Sequence, residues 1–182
     1  MAGHSDNDLG LPSFDKPVKV MIAIAPYYTA IAEAQLAAAR AVLDRAGVTH
    51  ETVEVPGSLE IPTAIGIAER LSNFDGYVAL GCVIRGATSH YDVVVNESAR
   101  GIMLLGLQGV CIGNGIITVE TRDQAEERAD AKRLNTAGGA AEAALHLIAL
   151  ARRWGGARKD VGFMPARDEY QIASKAKGPA KA

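Results

Sequence analysis

Apolar and polar residues fall along the chain in blocks whose period switches repeatedly between that of a strand and that of a helix. Val18 to Ala25 is an almost unbroken apolar run of strand length, and Thr29 to Ala46 carries apolar residues at helical spacing. The same pair then recurs. A strand over Thr49 to Val55 precedes a helix near Ile61 to Leu71, and a strand over Gly76 to Ile84 precedes a helix over Asp92 to Leu107. A fourth strand, Val110 to Thr118, leads into a short helix at Asp123 to Ala129 and a last helix at Gly139 to Trp154. Successive strand and helix units require parallel strands joined by crossover helices, which cover both faces of the sheet. The expected fold is α/β, a three-layer αβα sandwich around a four-stranded parallel sheet. The alanines of the first helix, Ala37, Ala38, Ala39 and Ala41, let it lie close to that sheet.

Composition bounds this picture without redirecting it. The chain has 182 residues, 48% hydrophobic and 22% charged, which suits one domain with a sizeable core. That domain is expected over residues 17–154, between flexible polar ends at 1–16 and 155–182. A formal net charge of -2 gives no reason to expect nucleic acid or an anionic membrane as partner. No apolar run is long enough to span a bilayer and Met1 to Lys19 lacks the apolar core of a signal peptide, so a cytoplasmic location is expected. Cys82 and Cys111 lie in apolar runs with no metal-ligand spacing and read as inert buried thiols. No metal site is expected.

The candidate chemistry lies in the turns at the ends of the strands. After the third, Gly86-Ala87-Thr88 leads into a helix, with His90 two residues further on. In an open α/β sheet such turns lie at the ligand-binding carboxyl edge, and the next helix offers free N–H groups to an anion. The spacing from Gly81 to Gly86 imitates a P-loop, but Ala87 stands where the phosphate-reaching lysine would be, which favours a monophosphate over a nucleoside triphosphate. An ordinary tight turn relieved by small residues is the alternative reading. Of the four histidines only His90 falls at this edge. After the second strand comes Val55-Pro-Gly-Ser-Leu-Glu-Ile-Pro62, where Glu60 is either a helix-start acid favoured by the dipole or an acceptor for ligand hydroxyls and N–H groups. After the first strand, Tyr27 or Tyr28 either stacks on a planar heterocycle or packs on its own helix at the rim. Gly113-Asn-Gly-Ile-Ile-Thr118 lacks the full glycine pattern of a dinucleotide site, which argues against a nicotinamide enzyme.

In this order the turns resemble those of the lumazine synthases. The similarity runs over about residues 17–154 and is carried by Val55 to Pro62, by Gly81-Cys-Val-Ile-Arg-Gly-Ala-Thr-Ser-His-Tyr-Asp92 with Asn96-Glu-Ser98, and by Thr118-Val-Glu-Thr121 with Gln124-Ala125. The resemblance implies a flavodoxin-like fold. It also implies condensation of 5-amino-6-(D-ribitylamino)uracil with 3,4-dihydroxy-2-butanone 4-phosphate, with no cofactor. By position, Tyr27 matches the aromatic that stacks on the pyrimidine, and Ser58, Leu59 and Glu60 match the segment that receives the ribityl chain. Cys82, Val83 and Ile84 match the strand end that hydrogen-bonds the pyrimidine edge, Ala87 and Thr88 the phosphate turn, and His90 the proton carrier. Arg128 matches the arginine that pairs with phosphate, a role suited to a planar guanidinium fork.

Two departures stand out. Asn114 replaces a residue that is usually phenylalanine in the family, which makes a wall of the substrate site more polar. The segment Arg128 to Gly139 is longer than the corresponding family connection, a feature associated with members that stop at a ring of five subunits. The resemblance therefore implies a homopentamer, or two pentamers face to face, with Asn114 and Arg128 reaching a neighbour's site. A non-catalytic flavin or lumazine binder on the same scaffold is the alternative function. It needs neither His90 nor Arg128. A flavodoxin-like electron carrier would need a phosphate loop after the first strand, where Ala25-Pro-Tyr-Tyr28 offers none.

Overall fold

A computed structural model describes residues 9–155. Strands β1 (Lys19–Ile24), β2 (Thr49–Glu54), β3 (Gly76–Ile84) and β4 (Ile112–Val119) form one sheet in the order β2-β1-β3-β4, every pair parallel. Helices α1 (Thr29–Arg45), α2 (Glu60–Leu71), α3 (His90–Leu107), α4 (Arg122–Ala129) and α5 (Thr136–Gly155) complete the chain.

Alternation along the central strands divides the core into two layers. Val20, Ile22 and Ile24 face α1 and α5 together with Val78 and Leu80, whereas Met21 and Ala23 face Ile61 and Ile65 of α2 and Ile102 of α3 together with Tyr77 and Ala79. The sheet is covered on both sides, as the αβα expectation requires. Ile and Leu side chains buried in this way contribute about 1.5–3 kcal/mol each. Small residues set the layer spacing on the α5 side: a β-carbon on Gly113 of β4 would overlap the backbone carbonyl of Ala140.

Three element boundaries differ by two residues or more from those expected. The last helix starts at Thr136, before Gly138-Gly139, because Asn135 at φ 45° accepts from the Gly138 N–H at 3.2 Å through its side chain and from the Gly139 N–H at 3.0 Å through its carbonyl. Helix α3 starts at His90, two residues earlier than expected, and β4 starts at Ile112, two residues later. The flexibility expected of the chain ends concerns, at 1–8 and 156–182, residues outside those described. Within residues 9–16, Leu11 and Phe14 pack against the α1 and α5 core.

Candidate functional site

The chain leaves β1 into α1 on one face and leaves β3 into α3 on the other, so a crevice opens between the carboxyl ends of these neighbouring strands. This is the topological switch point at which open α/β sheets bind ligands. A cavity of about 570 Å³ lies there, lined by the segments at the ends of β1, β2 and β3. Its volume suits a small-molecule site. Tyr27 and Tyr28 come from the first segment and Pro56 to Glu60 from the second. Cys82, Val83 and Ile84 end β3, Gly86 and Thr88 belong to the turn after it, and His90, Tyr91 and Val94 belong to α3.

Helix termini give the cavity its polarity. Helices α1, α2 and α3 all begin at this edge, and none has a side-chain cap at its N-terminus. Helix α4, whose first turn lies outside the cavity lining, has a full capping box between Thr121 and Gln124. The first-turn amides of Glu60 in α2 and Asp92 in α3 donate to the carbonyls of Gly57 at 3.2 Å and Ser89 at 3.0 Å. Other first-turn amides, without a capping side chain, can serve ligand oxygens, and the helix dipoles favour negative charge. Glu60 opens α2 and His90 opens α3, both exposed and both in the cavity wall.

The remaining wall is held by close packing. Ser58 is buried, and its hydroxyl lies 2.7 Å from where a β-carbon on Gly81 would stand. On the α1 side, the buried amide of Gln35 donates to the carbonyls of Gly81 at 3.1 Å and Gly115 at 2.9 Å. Tyr27 is 74% exposed and meets the Tyr28 ring edge-on, with 5.1 Å between centroids, which leaves aromatic surface at the cavity mouth. Burial pushes the Cys82 thiol up to about 11, with the Arg122 guanidinium opposing, so it remains protonated at neutral pH. It lines the site as a small apolar group rather than a nucleophile.

Of the residues singled out in the sequence, Tyr27, Ser58, Leu59, Glu60, Cys82, Val83, Ile84, Thr88 and His90 meet in this one cavity. Ala87 lies within the Gly86 to Thr88 turn but outside the lining. Asn114 and Arg128 do not join it. Asn114 is exposed on β4, an edge strand, where its Oδ1 accepts from the Ile116 N–H at 3.1 Å. Arg128 is half-buried on α4 and donates to the Gln124 carbonyl at 3.3 Å. Sequence periodicity does not single out Tyr91 and Val94, which also line the cavity: it starts α3 beyond Tyr91, and Val94 is one apolar position among several. Among the described residues, no group of three or more His, Cys, Asp or Glu could hold a metal ion. Nor is any helix there long and apolar enough to cross a membrane.

Comparison with known proteins agrees with this geometry. Residues 17–152 match the family model described as 6,7-dimethyl-8-ribityllumazine synthase. A protein of that name from Jannaschia sp. (strain CCS1) is 81% identical over 173 residues, covering 95% of this chain and 97% of the relative. Two others of that name, from Sphingopyxis alaskensis and Bartonella tribocorum, are 52% and 49% identical, covering 75% and 77% of this chain and 96% and 94% of the relatives. The chain belongs to the 6,7-dimethyl-8-ribityllumazine synthase family.

Proposed function

We propose that this protein condenses 5-amino-6-(D-ribitylamino)uracil with 3,4-dihydroxy-2-butanone 4-phosphate to give 6,7-dimethyl-8-ribityllumazine, phosphate and water, the penultimate step of riboflavin biosynthesis. The supporting observation is the meeting of an exposed tyrosine, a carboxylate, a strand end and one imidazole in a cavity onto which helix N-termini without side-chain caps open. Tyr27 stacks on the pyrimidine, Ser58, Leu59 and Glu60 receive the ribityl chain, and backbone groups of Cys82, Val83 and Ile84 bind the pyrimidine edge. Ala87 and Thr88 hold the phosphate. The 5-amino group attacks the ketone to form an imine, phosphate leaves by elimination, and the ribitylamino nitrogen closes the ring after the enol rearranges. His90 carries the protons, since an imidazole takes and returns them at neutral pH. Oriented binding supplies much of the remaining acceleration.

The site in this reading is completed by a second copy of the chain. Arg128 and Asn114 lie outside their own cavity, and α3 exposes Val93, Met103, Leu104 and Leu107, an apolar surface suited to burial against a neighbour. The assembly is a homopentamer or a pair of pentamers, and the location is cytoplasmic. Incubating the purified chain with both substrates and measuring lumazine fluorescence and phosphate release tests the activity. Binding of lumazine or flavin without turnover would instead identify a non-catalytic binder. Light scattering tests the assembly: five or ten subunits are expected, and a particle near sixty would overturn the proposed assembly.

A further inference from the structure

The Gly86 to Thr88 turn lies beside a guanidinium that is outside the cavity lining and has no part in the site described above. Arg85, immediately before the turn, donates from Nε to Glu120 Oε2 at 2.7 Å and from Nη1 to Asp92 Oδ1 at 3.2 Å. Its guanidinium lies 4.0 Å from the centroid of the Tyr91 ring, and its backbone N–H donates to the Val119 carbonyl at 2.9 Å. These contacts join the end of β4 and the residue after it to the first turn of α3. A guanidinium at a phosphate turn invites reading as a phosphate ligand. Here two carboxylates already engage it, and the Glu120 hydrogen bond, with Asp92 beside it, raises its hold on the proton.

We propose that Arg85 is a positioning residue, which fixes the first turn of α3, and with it Tyr91 and the adjacent His90, against the end of β4. Stacking and the planar fork constrain both distance and orientation, which a lysine would not reproduce. The inference rests on the proposed synthase activity. Loss of the clamp would let the proton carrier and the phosphate turn drift relative to the strand end that holds the pyrimidine. A misplacement of about 1 Å is sufficient for a hundredfold loss of rate.

The test is steady-state kinetics on the full chain with each substrate varied in turn, for the native protein, Arg85→Ala, Arg85→Lys and Asp92→Asn. For Arg85→Ala, kcat is expected to fall and KM for the butanone phosphate to rise, each on the order of tenfold or more. KM for the pyrimidine should stay near the native value. Arg85→Lys should recover part of the loss, and Asp92→Asn should show a smaller version of the same pattern. A native protein that converts neither substrate refutes the proposed activity. A native protein that turns over, with Arg85→Ala equal to it in kcat and both KM values, refutes the positioning role alone. A rise confined to the phosphate KM, with Asp92→Asn unaffected, would make Arg85 a direct ligand and overturn the proposal. Should Arg85→Ala not fold, Asp92→Asn and Glu120→Gln, which each remove one arm of the clamp, decide the question by the same measurements.

Discussion

The hydroxyl of Ser58 lies 2.7 Å from the point where a side chain on Gly81 would begin, so the loop after β2 is seated directly on the backbone of β3. Ile61 Cδ1 crowds the same point at 3.3 Å, and the Ala25 β-carbon stands in ordinary contact with it at 3.8 Å. The wall formed by Ser58 to Glu60 therefore owes its position to a missing side chain on the neighbouring strand. Gly81→Ala should push that loop outward and lower stability by about 1–3 kcal/mol through overpacking. Thermal unfolding combined with KM for the pyrimidine checks this, and an unchanged KM would mean that the loop tolerates the methyl group.

His90→Ala should leave the fold intact, because the side chain is exposed at the cavity wall. Its effect on stability should stay within about 0.5 kcal/mol. Turnover should fall by about 10²–10⁴-fold, the usual contribution of a general acid or base. Initial rates with both substrates saturating measure the loss, and a native rate would remove His90 from the chemistry.

Cys82 should react with alkylating reagents only at strongly alkaline pH. Its thiol is raised from an ordinary value of 9.0 to about 11, so the reactive thiolate is about a hundredfold scarcer at neutral pH than for an exposed cysteine. Alkylation rates across pH in a Cys111→Ala background should inflect near the raised value. An inflection near the ordinary value would show that burial does not govern this thiol.

If Arg128 serves a neighbouring subunit's cavity, the His90→Ala and Arg128→Ala variants should complement one another. Each is expected to be nearly inactive alone. Co-expressed, they form some interfaces that join an intact His90 to an intact Arg128, and activity should reappear in the mixture. A mixture no more active than its components would place both groups in a single subunit's site.

The strands and most helices were legible in the sequence because burial imposes period on them. The run Tyr77 to Ile84 is nearly all apolar because both faces of β3 are covered, and α1 shows its helical repeat because Ile31, Ala32, Gln35, Ala38 and Ala39 face inward. The start of α5 was not legible. Gly138-Gly139 looks like a helix break, and only the left-handed backbone of Asn135 and its bonds to the amides of those two glycines show that the helix has already begun. The three turns that build the cavity were readable from their residues. Tyr91 and the Arg85 contacts were not, since they depend on how the first turn of α3 folds back over the end of β4. The separation of Asn114 and Arg128 from their own cavity depends on sheet order, which periodicity does not encode.

By receiving the Ile116 amide, the Asn114 side chain also shields the outer border of the sheet. An unpaired strand margin is an invitation to another strand, and chains that accept it grow into fibres. At one border, exposed Glu51 and Glu54 place negative charge along β2, and at the other Asn114 occupies a donor that an incoming strand would otherwise recruit. With both borders guarded, edge-to-edge recruitment of a second copy is discouraged, and the covered faces and flanks of the sandwich are left as the surfaces through which this protein can meet others.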